Sequence, residues 1–225
     1  MSQQPFEIRI PDLMRFLALG ALAVVLVWGL ITSIYTVEAE SEGVILRFGK
    51  AKEDKVKPGL HFKLPFGIDD VYVLPVERQL KQEYGFATEG GTNSNQFSDR
   101  RGRDREKSMV TGDLNAAEVE WIVQYRITDP KRYLFKVHDP EGTLRNISES
   151  VMRTMVGDRT VDEVITVGRQ EIEKNAKIML RALVKKYELG IEIDQIQLKN
   201  VNPPLPVQAS FNEVNQAEQE KARMI

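Results

Sequence analysis

Residues 119–130 read VEWIVQYRITDP, with Val119, Trp121, Val123, Tyr125 and Ile127 alternating with Glu120, Ile122, Gln124 and Arg126. Successive side chains on a strand point to opposite faces, so this period of two predicts a strand with one strongly buried face. The pattern downstream changes period. Asp139-Pro140 offers an N-cap with proline at the first helical position, and Leu144, Ile147, Val151 and Met155 recur at helical spacing up to Gly157. Thr160 and Glu163 form a capping-box pattern for a further helix, which Gly168 divides. In its longer part Ile172, Ala176, Met179, Leu183 and Tyr187 line one face before Gly190 ends it. Residues 190–201, GIEIDQIQLKNV, return to strand, with the apolar phase moving from Ile191 and Ile193 to Ile196 and Leu198, which predicts a β-bulge. Strand, helix, helix, strand defines an α+β fold.

Upstream, a second block also has period two. In EGVILRFGK, residues 42–50, Val44, Leu46 and Phe48 share a face, and the charged AKEDKVKPG closes that strand into a loop. The next strand, KPGLHFKLPFGID at 57–69, carries an apolar side chain at every even position from Leu60 to Ile68. Core packing accounts for Leu60, Phe62 and Leu64. Phe66, Gly67 and Ile68 follow Pro65 at the strand end, close to an apolar tether, so Phe62, Leu64, Phe66 and Ile68 are candidates for membrane contact. Residues 71–86, VYVLPVERQLKQEYGF, continue in strand, with Pro75 marking a strand end or sheet edge. Thr88 to Ser108 is expected to be a polar loop with Phe97 its one apolar residue; Arg100–Lys107 carries five basic and two acidic side chains but no aromatic platform for bases, so nucleic acid is not expected as a partner.

Phe16 to Val37 runs for 22 residues without a charge. As a helix rising ~1.5 Å per residue it covers about 33 Å, enough for a hydrocarbon core of ~30 Å. A cleavable signal has an apolar region of only about 7–15 residues, so a retained transmembrane anchor is the expectation. Arg9 and Arg15 precede the segment while Glu38, Glu40 and Glu42 follow it, which places the N-terminus in the cytoplasm and the bulk of the chain across the membrane, the periplasm of a bacterium. Gly29 and Ser33 form a small-x-x-x-small pair, explained by the general frequency of small residues in such helices. The expected organisation is a cytoplasmic segment 1–15, a transmembrane helix 16–37, a membrane-proximal subdomain 38–110, a second subdomain 111–202 and, after the NPPLP break, a helical segment 203–225. In that last segment Val207, Phe211 and Val214 are spaced as a helix stripe and are candidates for helix assembly.

The 225 residues are 42% hydrophobic and 28% charged with a net charge of -2, so nothing global selects a polyanion as partner. The chain contains no cysteine, which excludes disulfides, a thiolate nucleophile and thiolate metal sites. The two histidines, His61 and His138, have no partner spacing, and no hydrolase elbow, zinc helix, phosphate loop or dinucleotide fingerprint occurs. No catalytic, cofactor or metal residue is therefore predicted; a hydrolase built from scattered residues is the reading this disfavours.

The order of EGVILRFGK, KPGLHFKLPF, TGDLNAAEVEWIVQYRITDPKRYLF, SVMRTMVGDRTVDEVITVGR, YELGIEIDQIQLKNVNPP and VQASFNEVNQAEQEK resembles the SPFH (band 7) superfamily of stomatin, prohibitin, flotillin and HflK/HflC proteins, over almost everything after Tyr35. MVTGDLN, VQYRITDP with YLF, and VNPPLPVQASFNEV are most similar to the bacterial HflK branch. That resemblance implies a non-enzymatic membrane scaffold at the bacterial inner membrane. Its implied partners are an HflC-like paralogue, in a hetero-oligomer of many copies forming a periplasmic cage, and the FtsH membrane AAA protease that the cage encloses and regulates. A stomatin- or prohibitin-like organiser of membrane microdomains without FtsH is the alternative. It also implies two SPFH subdomains, the first against the outer leaflet of the bilayer, and a coiled-coil helix that starts near Pro206 and continues beyond Ile225. The short N-terminus departs from the long Gly-rich cytoplasmic segment of some HflK relatives.

Overall fold

The apolar segment folds as one helix, α1 (Ile10–Ser33), which ends four residues earlier than the uncharged run. The structure, a computed structural model, describes residues 10–88, 100–165 and 168–223. By its contacts the chain divides into two units, Met1–Pro75 and Val76–Ile225.

In the first unit α1 gives way to β1 (Ile34–Val37), β2 (Ser41–Arg47), β3 (Lys50–Val56), β4 (Gly59–Phe62) and β5 (Asp69–Pro75). The expected helix 16–37 is thus corrected at its end: Ile34, Tyr35, Thr36 and Val37, β-branched or aromatic, pair antiparallel with Phe62, His61, Leu60 and Gly59. Tyr35 is the second residue of β1, its ring tilted over His61 at 5.9 Å. The other sheet has the order β3-β2-β5, and β5 ends at Pro75 as expected. Phe48 does not share the Val44 face. It occupies the turn between β2 and β3 with φ +49° and is exposed.

The second unit contains β6 (Leu80–Tyr84), α2 (Arg100–Lys107), β7 (Ser108–Val110), β8 (Ala116–Ile127), α3 (Pro130–Phe135), α4 (Pro140–Gly157), α5 (Val161–Ile165), α6 (Arg169–Lys186), β9 (Ile191–Asn202) and α7 (Leu205–Arg223). β8 is the spine. β6 pairs with residues 121–125 and β7 with 116–118, while β9 runs antiparallel along 118–127. Of residues 76–110, grouped by the sequence reading with the membrane-proximal subdomain, the described ones therefore supply β6, α2 and β7 to the second unit. The alternation in β8 is that of a buried face, with Val119, Trp121, Val123, Tyr125 and Ile127 all buried.

The bulge lies at Asp194, between the pairs Gln124–Gln195 and Tyr125–Ile193. Asp139 caps α4 by accepting from the Gly142 amide at 2.9 Å, and Thr160 and Glu163 exchange the two hydrogen bonds of a capping box at 3.1 and 3.4 Å. The helix stripes are rotated relative to the expectation. α4 buries Leu144, Val151, Met152 and Val156, with Ile147 and Met155 half-buried; α6 buries Ile172, Ala176, Leu180 and Val184 while Met179 and Tyr187 are exposed. α6 also covers the outer edge of β9. Arg169 donates to the Leu198 and Lys199 carbonyls, Arg181 to the Ile193 carbonyl, and the Leu198 amide donates to Glu173.

The predicted polar loop 88–108 is corrected over its described C-terminal part. Residues 100–107 are helical, and Glu106 is buried against Arg145 of α4, a pair 39 residues apart. The other Glu106 oxygen accepts from the Gly85 amide at 2.7 Å, and Arg145 donates to the Glu83 carbonyl at 2.9 Å. The Arg145 guanidinium lies 4.7 Å from the Tyr84 ring, which stacks on Trp121 with centroids 4.6 Å apart. Burial pushes the Glu106 carboxyl above the usual range even with Arg145 beside it.

Candidate membrane interface

Met14–Ser33 is long and apolar enough to cross a membrane, with a mean hydropathy of 2.3, and its side chains are exposed apart from Gly29 and Ser33. The glycine is covered by the turn after β4. That stretch is not one strand, as the alternation from Leu60 to Ile68 suggested. β4 stops at Phe62, and a turn follows in which the Ile68 amide approaches the Pro65 carbonyl at 3.4 Å. Its central residues, Phe66 at φ +63° and Gly67 at φ +74°, are both left-handed, as a type I′ turn requires. Glycine adopts this freely. For phenylalanine it costs on the order of 1–2 kcal/mol, offset here by where the ring goes.

The Phe66 ring meets Trp28 edge to face at 6.4 Å and lies over Gly29, where an added Cβ would come within 3.1 Å of it. The small residue at 29 thus receives the tip of this same unit. Ser33 turns inward, donating to the Gly29 carbonyl at 2.7 Å. Because Gly29 is four residues before Ser33, the tip sits about 6 Å down the helix axis from its C-terminal end, at ~1.5 Å per residue.

The base of the turn is held by charge. Arg47 at the end of β2 donates two hydrogen bonds to Asp69, at 2.8 and 2.9 Å, and the Leu64 amide donates to the same carboxylate at 3.1 Å. These bonds favour the ionised form, Arg47 foremost, and hold the Asp69 carboxyl at about 2. Asp70, its neighbour on the strand, is exposed.

The membrane-contact candidates come together here. Phe62 is 72% exposed, Leu64 42% and Phe66 59%, and Ile68 is half-buried beneath them. Core packing, expected for Leu60, Phe62 and Leu64, does not occur in this unit: Leu60 is also exposed. Sequence reasoning noted Gly29 only as half of a small-x-x-x-small pair explained by helix composition, and missed Trp28 and the Arg47–Asp69 pair; the significance of all three depends on contacts across the fold. Of the helix-assembly candidates, Val207 is exposed on α7; Phe211 and Val214 fall in the same helix, but their side chains lie outside the described residues. Among the described residues no group of three or more His, Asp or Glu is placed to hold a metal ion.

An apolar helix leading directly into a small sheet with a hydrophobic tip, followed by an α+β unit and a helix, defines the class. The chain belongs to the SPFH domain / Band 7 family, which matches residues 35–225. Among curated proteins it is similar to "Protein HflK" of Treponema pallidum, 38% identical over 92% of this chain and 62% of that protein, and to "Protein HflK" of Borreliella burgdorferi, 34% identical over 87% and 61%. The "Modulator of FtsH protease HflK" of Escherichia coli is 31% identical over 94% of this chain and 45% of that protein. The chain therefore spans between 45% and 62% of the length of these relatives.

Proposed function

We propose that this chain is an HflK-like, non-catalytic membrane scaffold that sits with its first unit seated in the outer surface of a bacterial inner membrane, N-terminus in the cytoplasm, and modulates an FtsH-like membrane AAA protease together with an HflC-like paralogue in a large periplasmic cage. The observation that carries the membrane-seated part is the Phe66 tip on Gly29. With α1 spanning the bilayer as far as Ser33, a turn packed at the level of Trp28 and Gly29 enters the interface by about 6 Å, the depth at which amphipathic segments bury an apolar face. The protease and paralogue rest on the likeness to HflK and on the name of the Escherichia coli relative.

The test is a mild-detergent pull-down of the full natural protein from its own membranes, with mass spectrometry and native sizing. A megadalton particle containing a second SPFH protein and an AAA protease is expected. A homogeneous ring lacking the protease would refute the protease role and favour a stomatin- or prohibitin-like organiser of the membrane.

A further inference from the structure

Between the last two turns of α1 and the turn after β4 lies a cleft of about 200 Å³ lined by Trp28, Thr32, Lys63, Phe66, Asp69 and Asp70, among others. Its composition is mixed in a specific way. Trp28 and Phe66 supply aromatic walls, Lys63 a cation, and Asp70 an anion, while Asp69 is committed to Arg47 and the Leu64 amide. Among the described residues neither Lys63 nor Asp70 takes part in an ion pair. The Thr32 hydroxyl shares its one proton between the Trp28 and Gly29 carbonyls, at 3.0 and 3.1 Å, so toward a ligand it can act only as an acceptor.

We infer that this cleft binds a single zwitterionic phospholipid headgroup, phosphate against Lys63 and ammonium against Asp70 and the aromatic faces. The inference rests on the membrane-seated reading of the tip and adds a ligand to it. Charge complementarity selects the class. A purely anionic headgroup satisfies Lys63 but leaves Asp70 against like charge; a phosphate that carries its own ammonium satisfies both signs in one molecule. The aromatic pair adds to this, since an ammonium is attracted to the face of tryptophan or phenylalanine. Position supplies the source. The cleft opens beside the final turns of the apolar helix and the exposed Phe62 and Leu64, where lipid headgroups and not free metabolites are concentrated.

The test uses the full chain in mild detergent with equimolar phosphatidylethanolamine and phosphatidylglycerol, counting by native mass spectrometry the lipid retained after the loosely held shell is stripped. One phosphatidylethanolamine per chain, preferred about tenfold over phosphatidylglycerol, is expected. Asp70→Asn should abolish the preference, and Lys63→Gln should lower retention of both lipids. Equal retention of the two by the parent chain, or an unchanged preference in Asp70→Asn, overturns the headgroup site. The underlying reading is checked separately. Because the chain has no cysteine, Phe62→Cys, at an exposed position outside the cleft lining, carries a single spin label in reconstituted vesicles, whose accessibility to oxygen against an aqueous nickel chelate gives its depth. A water-exposed label overturns the tip reading and the headgroup site together. A label at interfacial depth with equal lipid retention overturns the headgroup site alone.

Discussion

Arg145→Met should be among the most damaging single changes in the second unit. The parent guanidinium contacts Glu106, donates to the Glu83 carbonyl and lies over the Tyr84 ring, and its partner Glu106 is 2% exposed. Methionine fills similar volume but leaves a carboxylate buried without its cation, and breaking such a pair costs about 3–5 kcal/mol. For a unit of this size each kcal/mol lowers Tm by about 2–4 °C, so the expected loss is about 6–20 °C. Trp121, buried and stacked on Tyr84, reports this transition by fluorescence in a Trp28→Phe background, where it is the sole tryptophan. Two internal controls follow. Glu106→Gln combined with Arg145→Met should recover part of the loss, because a neutral amide can still accept from Gly85. The deficit of Arg145→Met should also shrink as pH falls. Glu106 has a raised pKa in the folded state, so that state holds its proton more tightly than the unfolded chain, and lowering pH favours folding at this site. A loss under about 1 kcal/mol, or a double variant no more stable than Arg145→Met, would refute the assignment of this pair as the clamp on α2.

The Arg47–Asp69 lock titrates in the opposite sense. Its carboxyl sits at about 2 when folded against ~3.9 in an unfolded chain, so its contribution is complete above pH ~4 and disappears as pH falls through about 2. The Leu64 amide, bonded to that carboxylate, should show a chemical-shift midpoint near 2 in an acid titration; a midpoint near 4 would contradict the geometry. At Gly190, φ is +71° and an added Cβ would lie 2.5 Å from the Asp129 carbonyl, with both the Thr128 and Asp129 amides bonded to the Gly190 carbonyl. Gly190→Ala should therefore cost more than the ~1 kcal/mol of a simple conformational penalty, visible as increased amide exchange at Thr128 and Asp129; unchanged exchange would show the turn to be tolerant.

What sequence made legible were features dictated locally. The long apolar helix shows because uniform apolarity over a bilayer's thickness leaves few other folds, and the caps at Asp139 and Thr160 show because their bonds close within three residues. The bulge at Asp194 shows because a change of phase in a strand has few other causes. The helix stripes were harder. In α6 the series Ile172-Ala176-Met179-Leu183 and Ile172-Ala176-Leu180-Val184 are both helical, and only the packing against β9 and α4 selects the second. α2 has no apolar stripe at all, RRGRDREK, and is fixed by a carboxylate whose partner is remote in sequence. At the tip, alternation was a true observation of apolar residues with the wrong backbone: the left-handed Phe66-Gly67 pair breaks the strand, and exposure replaces burial.

The outermost strand of the second sheet ends in a row of backbone groups that another chain could extend, and in a protein proposed to crowd many copies into one assembly such a row would invite runaway fibre growth. Arg169, Glu173 and Arg181 occupy that row from within the same chain, at the Ile193, Leu198 and Lys199 peptide groups. In the proposed assembly, neighbouring copies would recognise each other through side chains, whose identity differs between paralogues, rather than through peptide groups, which are the same in every protein. The proposed hetero-oligomer, with two kinds of subunit to tell apart, would depend on that distinction.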